Sequence, residues 1–435
     1  MRRLCIVTLI AAAAGLVMAS GAGWAQKGPI KVGLILPETG PLAANGKDMA
    51  NGMQLFFEEQ GFKLAGREIK LITEDDEGKP PTGLAKARSL VESQGVHVLM
   101  GPLSAAVGYA VAGYVNDKKV PTIFPIVSAE DITQRKRSSY IIRTGWSSAQ
   151  PSQPFGKWVY DNLGYRKIAM IGYDFAFGWE VAGGFQRTFE DAGGQVVQKL
   201  WPPLNTADFA PYLAQLRRDV DAIFCVFSGA DALRFAKQYS EAGLKGKLPL
   251  IGGGTFTDEH VLRTMGDEVL GVVTALHYSA ALPSPANQKF VQAYEAKFKQ
   301  VPSYYSEGSY VGGLALKAAL EATGGDIENV EKFLGAVRRV DSVGGAPGPH
   351  SLRRLRQSRG EHLRAQGGAR GRQAPEHGDP HLPQRLPVLD LQARRVPQEP
   401  RLLTRLPPVQ ALLEFPSPPP GERAGVRGHS CPPSA

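Results

Sequence analysis

Hydrophobic residues alternate with smaller residues along the first strand-like stretch of the chain. Ile30, Val32, Leu34 and Leu36 recur at every second position, a pattern that predicts a short strand buried in a parallel sheet. The segment PETGPLAANG then interrupts the pattern with turn residues. Between positions 49 and 57 the apolar residues recur at intervals of three and four, which predicts a helix packed against the strand.

The alternation of strand and helix continues to about position 340. Two consecutive runs of strand-helix units predict an α/β fold with two Rossmann-like lobes, each built on a mostly parallel sheet. The further predicted strands are EIKLITEDDEG, HVLMG, VPTIF, IIRTGW, KIAMIGYD, QVVQKLWP, DAIFCVF, LPLIGGG and GVVTALHYS. The further helices are predicted at 81–93, 104–117, 152–163, 179–192, 212–218, 231–242, 288–298, 306–322 and 331–337, with a short one from position 258.

The N-terminus has the pattern of an export signal. Arg2 and Arg3 precede an apolar run from Leu4 to Met18, and Gly23-Trp24-Ala25 offers a cleavage site of the small-x-small type. The apolar run is short for a membrane span. Residues 1–25 are therefore predicted to be a cleaved signal peptide, which places the mature protein in the periplasm.

The net charge of +9 does not indicate a nucleic-acid partner. Arg2 and Arg3 account for two of these charges, and the segment from Pro349 onward has 14 Arg, no Lys and 7 acidic residues. The intervening residues 4–348 are neutral overall, so no basic surface is predicted there to bind phosphates.

The chain shows none of the local patterns typical of the common enzyme classes. It has no GxSxG, no HExxH and no Walker loop, and GGGTF lacks the lysine that would follow a phosphate-binding loop. Of the eight His, only His97, His260 and His277 precede the C-terminal segment, and their spacing is not that of metal ligands. We predict a protein that is not an enzyme and has no cofactor and no metal.

Several motifs in order resemble the leucine/isoleucine/valine-binding-protein family. They are GLILPETGPLAANG, LMGPLSAAVGYAVA, VPTIFPIVSA, IGYDFAFGWEVAGGF and KQYSEAGLKGKLPLIGGG, and the resemblance covers about Lys27 to Val340. It implies the type I periplasmic-binding fold, with a first lobe of residues 26–146 and about 280–340 and a second lobe of residues 147–279. It also implies a hinge near 121–144 and 250–254, and a monomeric receptor that closes on a small solute and docks on the membrane permease of an ABC importer.

The resemblance also implies where the solute binds. In the first lobe it points to the helix N-terminus at Ser104 and Ala105, where backbone N–H groups suit a carboxylate, and to Ile126 and Ser128. Ser104 as a simple helix cap is an equally good interpretation. In the second lobe it points to Phe177, Ser228 and Gly254, with Tyr173, Asp174, Asp258 and Tyr278 as weaker candidates.

Gly254 is the most informative departure from the family pattern. Amino-acid binders of the family usually have an acidic residue there, which neutralises the ammonium group of the ligand, and an unpaired buried cation is costly. Asp258 or Asp174 could substitute for it. We therefore predict an apolar or aromatic carboxylate, or a related neutral solute, in preference to a branched-chain amino acid, with Phe177, Phe256 and Tyr278 lining the pocket.

The composition changes after Val340. No Lys, Ile, Tyr, Asn, Met or Trp follows, and 16 of the 33 prolines lie here, which is typical of a disordered extension. Codons can also be chosen for PHSLRRLRQSRGEHLRAQ such that a one-base shift reads IRFDDYGNPVENIYVR, which resembles the C-terminal strands of the family. We therefore predict that residues 341–435 are an out-of-frame, disordered tail.

The same fold also serves sensory receptors and gene regulators, so a sensory ligand-binding module is the alternative function. A regulator would carry a helix-turn-helix where this chain has its signal, and a receptor would carry a membrane span. The pattern of this chain favours the transport receptor.

Overall fold

The computed structural model describes residues 27–340 and the backbone of three short strands at 342–345, 348–351 and 388–390. The predicted signal peptide and most of the predicted tail lie outside the described residues. Within the tail, the three described segments are strands.

The first sheet has six strands in the order β2-β3-β1-β4-β5-β6, all parallel except for the short edge strand β2. The strands are β1 (Ile30–Leu36), β2 (Lys63–Leu64), β3 (Arg67–Asp75), β4 (Val98–Met100), β5 (Thr122–Phe124) and β6 (Ile141–Arg143).

Three helices connect strands of this sheet, and three more belong to the long return of the chain from the second sheet. They are α1 (Ala43–Glu59), α2 (Pro80–Arg88, extended by a π turn at Ser89–Ser93), α3 (Ala105–Asp117), α9 (Pro285–Phe298), α10 (Tyr304–Thr323) and α11 (Val330–Arg339). The alternating side chains of β1 face α1 and α10, and Ile35 faces the opposite layer of α2 and α3. The sheet is therefore covered on both faces, as a parallel sheet requires.

The second sheet has the order β14-β11-β10-β9-β7-β8, with only β14 antiparallel. Its strands are β7 (Lys167–Gly172), β8 (Gln195–Leu200), β9 (Ala222–Val226), β10 (Leu250–Gly253), β11 (Val273–Ala275) and β14 (Val388–Asp390). Two further strands, β12 (Ser342–Gly345) and β13 (Gly348–Ser351), pair in a separate hairpin. Its helices are α4 (Ser152–Trp158, extended by a π turn at Val159–Leu163), α5 (Ala176–Asp191), α6 (Ala210–Gln215), α7 (Gly229–Glu241) and α8 (Glu259–Leu262).

The predicted α/β class with two mostly parallel sheets is confirmed. The expected hinge segment at 250–254 is wrong, because Leu250–Gly253 is the interior strand β10 of the second sheet. The chain instead passes between the sheets after β6 and again after β11. Helix α5 begins at Ala176 and not at 179, so Phe177 lies in its first turn.

Candidate functional site

A cleft lies where the carboxyl ends of strands from both sheets meet. Its lining segments directly follow β5, β6, β7, β10 and β11, and the first turn of α10 completes it. In open α/β sheets ligands bind at this end of the strands. The cleft has about 480 Å³ of empty space, part of which is open to solvent.

Part of the cleft lining, named here the hydroxyl wall, consists of residues with hydroxyl groups. Ser128 follows β5, and Ser147, Ser148 and Ser152 follow β6. The hydroxyl oxygens of Ser128 and Ser148 are 2.9 Å apart, and the backbone N–H of Ser148 donates to the carbonyl of Ser128 at 2.9 Å. Thr255 adds a fifth hydroxyl residue from the second lobe, and its own hydroxyl donates to the Phe227 carbonyl.

The rest of the lining is aromatic and aliphatic, and its rings are named here the aromatic wall. The ring of His277 stacks on Trp146, with ring centres 5.2 Å apart, and meets the edge of Tyr304 at 5.4 Å. Phe177 faces the same space from α5. The remaining lining residues are small or aliphatic: Pro125, Ile126, Pro151, Val181, Gly253, Gly254, Ala275 and Leu276. This combination suits a ligand with a flat apolar body and a polar end.

No acidic side chain and no Lys or Arg is among the residues that line the cleft in the described part of the chain. A Cβ atom added at Gly254 would lie 2.3 Å from the Cβ of Leu276 and 2.7 Å from the carbonyl oxygen of Ala275. An acidic side chain therefore does not fit at this position without a shift of the neighbouring strand end.

A buried cation lies directly behind the hydroxyl wall. The guanidinium of Arg143 donates to the carbonyl of Ser128 at 2.7 Å and also to the carbonyl of Ala129. Burial lowers the pKa of Arg143 to about 10, and the nearby Glu130 and Glu180 carboxylates act in the opposite direction. Arg143 therefore remains protonated at neutral pH and partly offsets these two carboxylates.

Four of the predicted site residues line the cleft: Ile126, Ser128, Phe177 and Gly254. Ser104 and Ala105 do not line it. Ser104 is at the N-cap position of α3 without a side-chain capping bond, and Ala105 is the first residue of that helix and is buried in the core. The role proposed for these two residues stays a prediction.

The other second-lobe candidates have structural contacts outside the cleft. The hydroxyl of Tyr173 donates to the carbonyl of Ser228 at 2.8 Å, and the Ser228 hydroxyl meets Tyr305 at 3.1 Å. Asp174 is exposed and accepts a hydrogen bond from the indole of Trp179.

Asp258, Tyr278 and Phe256 are fully buried outside the cleft lining. Asp258 caps α8 and accepts the backbone N–H groups of His260 and Tyr304. Its burial raises its pKa well above the usual range. Asp258 and Asp174 therefore do not supply the acidic group that Gly254 lacks.

Sequence reasoning missed most of the aromatic wall and three of the serines. Trp146, Ser147, Ser148 and Ser152 lie in WSSAQPS directly after β6, so the position of this segment at a strand end was an available signal. His277 and Tyr304 are 27 residues apart in the chain, and no local pattern pairs them.

Within the described residues, no helix is both long enough and apolar enough to cross a bilayer. The same part of the chain contains no cluster of three or more His, Cys, Asp or Glu side chains arranged to hold a metal ion.

Comparison with known proteins identifies relatives over most of the chain. The profile of the family described as periplasmic binding protein matches residues 29–363. The Leu/Ile/Val-binding protein homolog 6 of Brucella melitensis biotype 1 is 30% identical over 340 residues, which cover 77% of this chain and 86% of that protein.

Two solved structures of ABC-transporter solute-binding proteins are similar over 74% of this chain and 88% of theirs. One, from R. palustris in complex with benzoate, has 31% identity and a TM-score of 0.71. The other, from Rhodopseudomonas palustris BisB5 in complex with 3,4-dihydroxybenzoic acid, has 35% identity and a TM-score of 0.69. Together with the two parallel sheets and the cleft between them, these matches show that the chain belongs to the periplasmic binding protein family, as a solute-binding protein of the ABC-transporter type.

Proposed function

We propose that this protein captures a small aromatic or apolar carboxylate in the periplasm by closure of its two lobes and delivers it to the membrane permease of an ABC importer. The observation that carries the ligand class is the absence of an acidic side chain from the described lining of the cleft, together with the crowded surroundings of Gly254. An amino acid would bring an ammonium group into this cleft without a carboxylate to pair with it, which costs several kcal/mol.

The shape of the cleft supports an aromatic ligand. A flat ring has apolar partners in Trp146, Phe177 and Tyr304, and a carboxylate has hydroxyl partners in Ser147 and Ser152. Aromatic contacts of this kind contribute about 0.5–1.5 kcal/mol beyond the area that they bury. The benzoate and 3,4-dihydroxybenzoic acid complexes of the two solved relatives agree with this class.

Calorimetric titration with benzoate, 3,4-dihydroxybenzoate, benzamide and leucine tests the proposal. We expect the two acids to bind at least about 100-fold more tightly than leucine, because leucine leaves its ammonium unpaired. Leucine binding as tight as benzoate binding would contradict the ligand class. Benzamide binding as tight as benzoate binding would contradict the carboxylate and indicate a neutral aromatic solute.

A further inference from the structure

Glu180 lies on the first turns of α5, one turn after Phe177, and reaches across to the first lobe. Its carboxylate accepts the Ser148 hydroxyl at 2.7 Å, the Tyr109 hydroxyl at 3.2 Å and the backbone N–H of Glu130 at 3.2 Å. Glu130 follows β5 and Tyr109 is on α3, both in the first lobe, whereas Ser148 lies on the segment that crosses between the sheets after β6. The contacts of Glu180 with Tyr109 and Glu130 therefore exist only when the lobes are together.

The donors around Glu180 have defined hydrogen-bond directions. The Tyr109 oxygen accepts the backbone N–H of Asp131 at 3.3 Å, so its own hydrogen is available to Glu180. Burial and the adjacent carboxylate raise the pKa of Tyr109 to about 12, so it stays a donor at neutral pH. Burial also raises the pKa of Glu180, with the Ser148 hydroxyl and the Glu130 N–H acting against that rise.

The contact with Ser148 extends into the cleft. A serine hydroxyl has a single hydrogen, and the carboxylate of Glu180 is the strongest of the acceptors within reach of Ser148. Ser148 is then an acceptor toward Ser128, 2.9 Å away. The single hydrogen of Ser128 is then donated to Ser148, so Glu180 sets the hydrogen-bond direction of both serines.

We propose that Glu180 is a latch and a positioning residue, which stabilises the closed lobes and fixes the hydrogen-bond direction of the Ser148–Ser128 pair in the cleft lining. This inference goes beyond the proposed function and rests on it only for the ligand used in the kinetic test. A ligand favours closure by its differential affinity for the closed state. Contacts that form only in that state slow the release of the ligand and leave its entry unchanged.

Stopped-flow fluorescence of Trp146, which lines the cleft, measures entry and release of benzoate. For Glu180→Ala we expect the release rate to rise about 10- to 100-fold and the entry rate to stay within about twofold, because the hydrogen bonds from Tyr109 and Glu130 are lost only from the closed state. The melting temperature of the ligand-free chain should fall by at most about 3 °C, because without ligand the lobes are closed for only part of the time. The release rate of Glu180→Gln should lie between the rates of Glu180→Ala and of the unchanged chain. The double variant Tyr109→Phe with Glu180→Ala should raise the release rate by less than the product of the two single increases, since both substitutions remove the same contact.

Glu190→Ala is the matched control on the same helix. Glu190 is exposed and accepts hydrogen bonds from Gln186 and Val196 within its own lobe. An unchanged release rate in Glu180→Ala, or an equal rise in Glu190→Ala, would overturn the proposal. So would a loss of melting temperature in ligand-free Glu180→Ala that accounts for the weaker binding.

A ligand-independent measurement separates the latch from the proposed function. Hydrogen exchange of the Glu130 amide in the ligand-free chain should be faster in Glu180→Ala than in the unchanged protein, and equal to it in Glu190→Ala. Equal exchange in all three proteins would contradict the latch. A failure of the unchanged protein to bind benzoate would contradict the proposed ligand and leave this exchange result as the test of Glu180.

Discussion

The Cβ that Gly254 lacks would lie within 2.3 Å of the Leu276 side chain, at the end of strand β10 where the cleft begins. The family resemblance implied an acidic residue at this position in amino-acid binders, and the structure shows that a larger side chain does not fit here without a shift of its neighbours. Gly254 and Leu276 together therefore leave no room for an acidic side chain at this end of β10.

Gly254→Ala should lower the free energy of unfolding by about 1–3 kcal/mol, because the added methyl group overpacks the contact between β10 and the segment after β11. Chemical denaturation checks this expectation. Gly113→Ala is the control, because a Cβ at Gly113 on helix α3 meets nothing within 4 Å. That variant should be neutral or slightly stabilising. Equal stability of both variants would contradict the crowding at Gly254.

Phe177→Ala should weaken benzoate binding by about 10- to 100-fold and leave the ligand-free melting temperature nearly unchanged. Phe177 is half-buried and lines the cleft, so its ring is covered fully only when a ligand is bound. Calorimetry measures the affinity. Trp179→Ala removes a ring of similar size that is 50% exposed on the same helix and is not a lining residue. Comparable losses in the two variants would argue against Phe177 as a ligand contact.

At the scale of helices and strands, two carboxylates connect the lobes, one on a helix of each lobe. Glu180 on α5 of the second lobe accepts hydrogen bonds from the Tyr109 hydroxyl and the Glu130 N–H in the first lobe. The carboxylate of Asp48 on α1 of the first lobe accepts hydrogen bonds from both terminal nitrogens of Arg263, at 3.2 and 2.9 Å. Arg263 lies at the end of α8 in the second lobe. Ser303, at the N-cap of α10, donates to the same carboxylate at 2.6 Å.

Asp48→Asn should lower the free energy of unfolding at pH 7 by about 2–3 kcal/mol, because a nearly buried ion pair loses one partner. Burial acts to raise the pKa of Asp48, but hydrogen bonds from His260, Arg263 and Ser303 outweigh it and hold the pKa below its usual value. A carboxyl group whose pKa is lower in the folded state stabilises the fold above about pH 4 and loses this contribution as the pH falls through the folded pKa.

The difference between the Asp48→Asn variant and the unchanged protein should therefore be largest at neutral pH and shrink below about pH 4. Denaturation curves from pH 3 to pH 7 test this. Asp161→Asn is the control, because its ion pair with Lys157 is exposed and lies within one helical segment. A difference for Asp48→Asn that does not change with pH would contradict the charged contact.

For the whole molecule, the question is how the chain after Val340 completes the fold. The family match extends to residue 363, and β14 pairs with the edge strand β11 of the second sheet. We keep the proposal of a one-base frame change between about Asp341 and Gly348, which the gene sequence tests directly. An intact frame whose codons give no family-like shifted text would end it.

If the frame has changed, a version with the restored C-terminus should melt at a higher temperature than this chain. The restored strands would cover the sheet edges and apolar faces of the second lobe, and exposed edges are a cost to the folded state. Calorimetric melts of the two proteins, both ligand-free, provide the measurement. Equal midpoints would count against the proposal.

The sequence by itself determined the elements, their order and the α/β class, because period-two and period-3.6 patterns act over a few residues and depend on local backbone geometry. The resemblance of its motifs to a known family also pointed to Ile126, Ser128, Phe177 and Gly254, which line the cleft. Only the tertiary structure decided which neighbours share the cleft. The stacking of His277 on Trp146 and the hydrogen bonds of Glu180 and Asp48 join residues of different lobes, and such contacts depend on how two sheets approach each other, which no local pattern specifies.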